Sequence, residues 1–201
     1  MKKVTAFVAA ALLTAALTVS ASASSLSHTV VKGDTMWKLA VKYQVGTSEI
    51  ISANPKIANP DLIYPGQILN IPRISDTVLS YENEVIRLLN EIRVSNGLKP
   101  LTANWELYRI ARYKSEDMSD NRYFSHTSPT YGTPFQMIRA FGLSYRSAGE
   151  NIAYGYGTPA AVVNGWMNSS GHRANILNAS YTQIGVGYCA NGNYWTQMFI
   201  G

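Results

Sequence analysis

An α+β fold is what this 201-residue sequence predicts, and three observations predict it. Residues 28–72 read as strand, helix, helix, strand. From Leu79 apolar residues recur at helical spacing over two long stretches. The C-terminal segment alternates and turns at Asn191-Gly192, a strong hairpin signal.

The elements follow in order. "HTVVKGDTMWKLAVKYQV" opens with a short β-branched strand, breaks at Gly33-Asp34 and becomes helical. Thr35 is its expected N-cap, with Trp37, Leu39, Ala40 and Tyr43 as the apolar face. "TSEIISANP" predicts a second short helix, capped by Thr47 or Ser48 and stopped at Asn54-Pro55. "LIYPGQILNIP" adds a turn at Pro65-Gly66 and a closing strand. "RISDTV", residues 73–78, reads as a short polar linker to a second domain over 79–201.

In that domain "LSYENEVIRLLNEIRVSNG" places apolar residues at 85, 88, 89 and 92 and stops at Asn96-Gly97. "ANWELYRIARYKSEDMSDN" continues the helical pattern with Leu107, Ile110, Ala111 and Met118. Thr133-Pro134 and Thr158-Pro159 each join a capping threonine to a proline at the first helical position. Residues 148–154 are a candidate strand, and "QIGVGYCA" with "YWTQMFI" forms the hairpin. Helices followed by an antiparallel sheet suggest an α+β sandwich.

The termini and composition bound the setting. Lys2 and Lys3, an apolar run from Val4 to Val19 and Ala21-Ser22-Ala23 form a secretory signal peptide over 1–23, with cleavage expected after Ala23. The run is shorter than the roughly 20 apolar residues that span a bilayer, so no transmembrane anchor is expected after cleavage. Cys189 is the single cysteine, which excludes an intrachain disulfide, and its alternating context reads as a buried, inert thiol. The formal charge of +5 falls to +3 once Lys2 and Lys3 are removed. Without a dense basic block, nucleic acid is excluded as a partner; an anionic cell wall is the most this charge attracts.

The segments "VVKGDTMWKLAVKY", "ISANP" and "IYPGQILNIP" together resemble the LysM module. The resemblance implies a βααβ fold that binds N-acetylglucosamine glycans, chiefly peptidoglycan. It puts the sugar groove between Gly33, Asp34, Thr35 and Met36 on one side and Pro60, Asp61, Leu62 and Ile63 on the other. Backbone groups there would bond acetamido groups while Met36 and Leu62 cover their methyls. Asp34 would supply a polar contact. His28, at the strand start, reads as a surface residue.

Three histidines and a few carboxylates declare no reaction by spacing: no H-E-x-x-H or C-x-x-C pattern is present. Ser169 and Ser170 beside His172 read as helix caps rather than nucleophiles. The assembly "FSHTSP", "GENIAYG", "WMNSSGHRANIL" and "IGVGY" resembles the CAP superfamily of cysteine-rich secretory, antigen 5 and pathogenesis-related proteins, in its bacterial extracellular (SCP-like) branch. The resemblance implies an α-β-α sandwich whose cleft gathers His126, Glu150 and His172. The chain departs from the family where a second glutamate and a further histidine are expected, carrying Ser169 and Ser180. Three roles stay open. His126, His172 and Glu150 could hold zinc in an open site, with water in the fourth position. Glu150 could act as general base while an imidazole steadies an oxyanion. The three could instead form a hydrogen-bond network. Two functions follow: a secreted, wall-bound protein that offers a cleft to a peptide, lipid or protein, including in spore-coat assembly, or a wall hydrolase.

Overall fold

The computed structural model describes residues 25–201, so the expected signal peptide over 1–23 lies outside the described residues. Among the described residues no helix is long and apolar enough to cross a membrane.

The small domain comprises β1 (Ser25–Thr29), α1 (Met36–Tyr43), α2 (Thr47–Ser52) and β2 (Ile68–Pro72). β1 and β2 pair antiparallel, Ser25 opposite Pro72 and Thr29 opposite Ile68. The strand thus begins earlier than the expected boundary at residue 28. Thr35 caps α1 by accepting from the Lys38 amide at 3.1 Å, as the sequence indicates. Trp37 does not join the apolar face: it is 68% exposed. The i, i+3, i+4, i+7 stripe is Met36, Leu39, Ala40 and Tyr43, and Trp37 lies off it. Nor do Thr47 or Ser48 cap α2. Gly46 is the N-cap, and Glu49 reaches back to accept from its amide at 2.8 Å. The small core is built on Leu39, Ile50, Leu69 and Ile71.

The large domain runs α3 (Asp76–Ser95), β3 (Thr102–Ala103), α4 (Trp105–Asp120), α5 (Pro134–Ala140), β4 (Ala148–Ala153), α6 (Pro159–Met167), α7 (Ser170–Ile176), β5 (Gln183–Cys189) and β6 (Tyr194–Ile200). Ser75 caps α3 at Val78, so the helix starts inside the expected linker and only residues 73–75 join the domains. The four-stranded sheet has the order β3-β5-β6-β4; β3 lies parallel to β5 and the other pairs are antiparallel.

Strand alternation sends Ile184, Val186, Trp195 and Phe199 to one face, where they pack with Val85, Leu89, Val162 and Trp166 of α3 and α6. Met198 and Ile200 go to the other face with Leu107, Ile110 and Ala111 of α4. The result is helix, sheet, helix in three layers. Gly185 and Gly187 make the α4 side possible: a Cβ at either would lie 2.1 Å from the α4 backbone. Buried Arg93 ties the layers at one end, donating to the carbonyls of Lys99, Ile176 and Asn178. Buried Glu82 accepts a two-pronged bond from Arg112 and a further one from the Tyr188 amide. Burial pushes the Glu82 carboxyl up to about 7 against the pull of Arg112.

The two domains touch through α2 and α4. Arg109 Nε donates to Glu49 Oε1 at 2.5 Å, and the Tyr113 hydroxyl donates to the same oxygen at 2.8 Å. Gly46 leaves room for the Arg109 guanidinium, which a Cβ there would displace from its present position.

Candidate functional site

The site grows from the free edge of the sheet. β4 is an edge strand, and its outward carbonyls need donors. Three side chains supply them. Tyr181 Oη donates to Ala148 O at 3.1 Å, Asn175 Nδ2 to Glu150 O at 3.1 Å, and Trp166 Nε1 to Ile152 O at 3.3 Å. Asn151, fully buried, donates to the His172 carbonyl at 3.1 Å and to Gln197 Oε1 at 3.0 Å, and accepts from Asn175. The asparagines of "GENIAYG" and "GHRANIL" therefore bolt α7 to β4. His172 takes its place from that bolt.

On the α4 side of β4, Glu150 turns inward with 2% of its side chain exposed. His126, 56% exposed, brings Nδ1 to 2.6 Å from Glu150 Oε1. The other carboxylate oxygen, Oε2, is buried and has no hydrogen-bond partner among the described residues. Burial pushes the Glu150 carboxyl above its usual range, with the His126 bond pulling the other way. The same bond raises the His126 imidazole above 6.5. Burial lowers His172, and the neighbouring charge of His126 lowers it further.

The loop that carries His126 is braced by residues that motif reading does not reveal. Lys114 on α4, 1% exposed, donates to Ser125 O at 2.7 Å and to Tyr123 Oη at 3.0 Å. Burial lowers its ammonium, while the Glu150 and Asp117 charges support it. Asp117, one turn on, accepts from Tyr123 Oη, Ser128 Oγ, Thr130 Oγ1 and Asn121 Nδ2. Burial pushes Asp117 up, yet those four donors together hold it below its usual value. The only signal in the sequence is that Lys114, Ser115 and Asp117 are polar side chains on the buried part of an amphipathic helix.

His126 and Glu150 meet directly. His172 makes no side-chain hydrogen bond to either, and lines an adjoining open pocket of about 460 Å³ with Phe124, Tyr154, Tyr156 and Ser169. Ser169 occupies the N-cap position of α7, yet its side chain makes no capping bond. Among the described residues no group of three His, Cys, Asp or Glu side chains is placed to hold a metal ion. Glu150 engages only Nδ1 of His126, so Nε2 is the nitrogen that imidazole could offer a metal.

In the small domain Gly33, Thr35, Asp61 and Leu62 are exposed, while Asp34, Pro60 and Ile63 are partly covered. Met36 is 5% exposed and belongs to the core, so its side chain cannot cover a sugar methyl there. Asp34 is engaged within the domain: its Oδ2 lies 2.8 Å from His28 Nε2 and accepts from the Val31 amide at 2.9 Å. That amide bond, with the His28 contact, lowers its pKa. His28 is correspondingly buried rather than on the surface, with Nδ1 2.8 Å from Tyr43 Oη.

The chain matches the LysM domain model over residues 28–72 and the model described as "CAP: Cysteine-rich secretory protein family" over residues 86–199. It is 56% identical over 125 residues to "Uncharacterized protein YkwD" of Bacillus subtilis, which covers 62% of this chain and 49% of that one. A crystal structure of an extracellular protein containing a SCP domain from Bacillus anthracis superposes with a TM-score of 0.59 at 34% identity, covering 68% of this chain and 47% of the other. The first domain is 47% identical over 45 residues to "Spore coat assembly protein ExsA" of Bacillus cereus, covering 22% of this chain and 7% of that protein. The chain spans about half the length of the relatives that match its larger domain.

Proposed function

This chain belongs to the cysteine-rich secretory protein (CAP) family and carries a LysM domain ahead of that fold, and from this premise we propose a secreted, wall-associated binding protein. LysM domains bind N-acetylglucosamine glycans such as peptidoglycan or chitin. In this reading the LysM domain holds the chain on peptidoglycan, and the CAP domain offers its His126–Glu150–His172 region to a ligand, in envelope or spore-coat assembly. The likeness of the LysM domain to the spore coat assembly protein of Bacillus cereus supports that setting.

One observation carries the choice of binding over cutting. Glu150 has one oxygen committed to His126 and the other buried, so its carboxylate is not presented to a water. A general base must come within about 3 Å of the proton it takes. Glu150 is built to hold an imidazole in place.

The exposed face of His126 favours a second reading. An imidazole whose Nδ1–H donates to a buried carboxylate can accept a proton at Nε2, which would make His126 the base of a wall hydrolase and Glu150 its positioning residue. Incubating the chain with purified peptidoglycan and reading the soluble fraction by mass spectrometry separates the two. Binding without new sugar or peptide ends is the expected result; fragments that disappear in His126→Gln would establish the hydrolase.

A further inference from the structure

The pocket beside His172 has a composition that the His126–Glu150 pair does not explain. Three aromatic side chains on its wall face solvent: Phe124 is 46% exposed, Tyr154 57% and Tyr156 37%. Exposure of one aromatic ring is ordinary, but three around a single concavity mark a contact surface.

The platform is held rigidly. Tyr154 sits between Phe124, edge-on with centroids 4.8 Å apart, and Tyr194, stacked at 6.0 Å. Trp195 Nε1 donates to the Tyr156 carbonyl at 2.7 Å. Gly165 on α6 leaves room for the Tyr156 hydroxyl, which would lie 2.6 Å from a Cβ at that position. Rings fixed before a ligand arrives lose little entropy on binding. The rim is polar: among the described residues the His172 imidazole makes no side-chain hydrogen bond, and the Ser169 hydroxyl is not spent on capping α7.

A cluster of exposed aromatic rings beside hydrogen-bonding groups matches one ligand chemistry well. A pyranose ring offers an apolar C–H face to aromatic rings and hydroxyl or acetamido groups to the rim. A lipid tail would make no use of the polar groups of His172 and Ser169 at the rim. The pocket's volume of about 460 Å³ falls in the ~300–1,000 Å³ range of small-ligand sites. The LysM domain on the same chain supplies the nearest source of such rings.

We infer that Phe124, Tyr154 and Tyr156, with Ser169 and His172 at the rim, form a second saccharide subsite for an N-acetylhexosamine ring. This rests on the reading of the CAP region as a ligand-binding site. It makes the chain bivalent toward glycan, so avidity exceeds what LysM alone provides.

Calorimetry of the full chain with tetra-N-acetylchitotetraose tests it. The parent should show two sites. Tyr154→Ala combined with Phe124→Ala should lose one of them while the variant still melts in one cooperative transition. Tyr154→Phe, which keeps the ring, should retain both sites. Leu62→Ala should weaken only the other site. A parent with one site, weakened by Leu62→Ala and untouched by the aromatic changes, would overturn the subsite and leave the LysM reading standing. A parent that binds no chitotetraose would overturn both.

Discussion

His126 Nδ1 lies 2.6 Å from Glu150 Oε1, and the two side chains differ sharply in exposure, 56% against 2%. A buried carboxylate thus holds an imidazole that faces solvent. Their protonation is linked, and that linkage can be measured.

The bond to Glu150 raises His126 above 6.5 in the folded chain. A raised imidazole contributes stability that is complete below the unfolded value and is lost as pH climbs through the folded one. The advantage of the parent over His126→Gln should therefore shrink as pH rises from 6.5 through the folded imidazole value, while Glu150 stays ionised. Melting curves across that range check it. An advantage that grows with pH would contradict the raised imidazole.

Removing the carboxylate charge should release the imidazole. In Glu150→Gln the other influences on His126, burial and the Lys114 charge, both lower its pKa. Its titration by NMR should fall to 6.5 or below. If the parent's raised value survives in the variant, Glu150 is not its cause.

The edge bolt predicts a stability cost away from any ligand. Asn151→Ala takes the donor from buried Gln197 Oε1 and removes the part-buried bonds to the His172 carbonyl and from the Asn175 amide. Buried groups left unsatisfied cost about 1–3 kcal/mol, and in a chain of this size each kcal/mol lowers the melting temperature by roughly 2–4 °C. Calorimetric melting should show a loss of several degrees. An unchanged melting temperature would mean that α7 is held by other contacts.

The domain contact should appear as coupling between Glu49 and Arg109. Their side chains are 23% and 18% exposed, so solvent screens the pair only in part. A double-mutant cycle on melting should give an interaction of about 1–2 kcal/mol, toward the lower part of the range for hydrogen bonds to charged groups. Burial raises the Glu49 carboxyl, but the Gly46 amide, Arg109 and Tyr113 together bring it below 4.5. The coupling should accordingly be complete above pH 4.5 and fade as pH falls. Additive single effects would show that the domains do not depend on this pair.

Zinc titration bears on the imidazoles. Because no third donor is placed with His126 and His172 among the described residues, the parent should give no zinc binding heat. Binding lost equally in His126→Ala and His172→Ala would restore a shared metal site.

Much of this was legible in the sequence, and what was not has a common cause. The Thr35, Thr133 and Thr158 caps depend on residues within one turn, so they can be read directly. So can the turn at Gly192 between the last two strands. His28 could not be read as buried, because its partners Asp34 and Tyr43 are 6 and 15 residues away. Gly46 gave no cap signal of its own; its importance comes from Arg109 in the other domain. Met36 and Trp37 show the limit of periodicity, since a shift of one residue exchanges core and surface. The motifs located His126, Glu150 and His172, but the brace of Lys114, Asp117 and Tyr123 depends on folding a loop back onto α4.

The central claim is that wall attachment belongs to the LysM loops. Sedimentation with purified peptidoglycan tests it most directly, comparing the full chain with a variant carrying Asp61→Ala and Leu62→Ala, both exposed positions whose loss should spare the fold. The parent should pellet with the wall and the variant should shift largely to the supernatant at equal melting temperature. Undiminished pelleting of the variant would contradict the account and move wall recognition away from those loops.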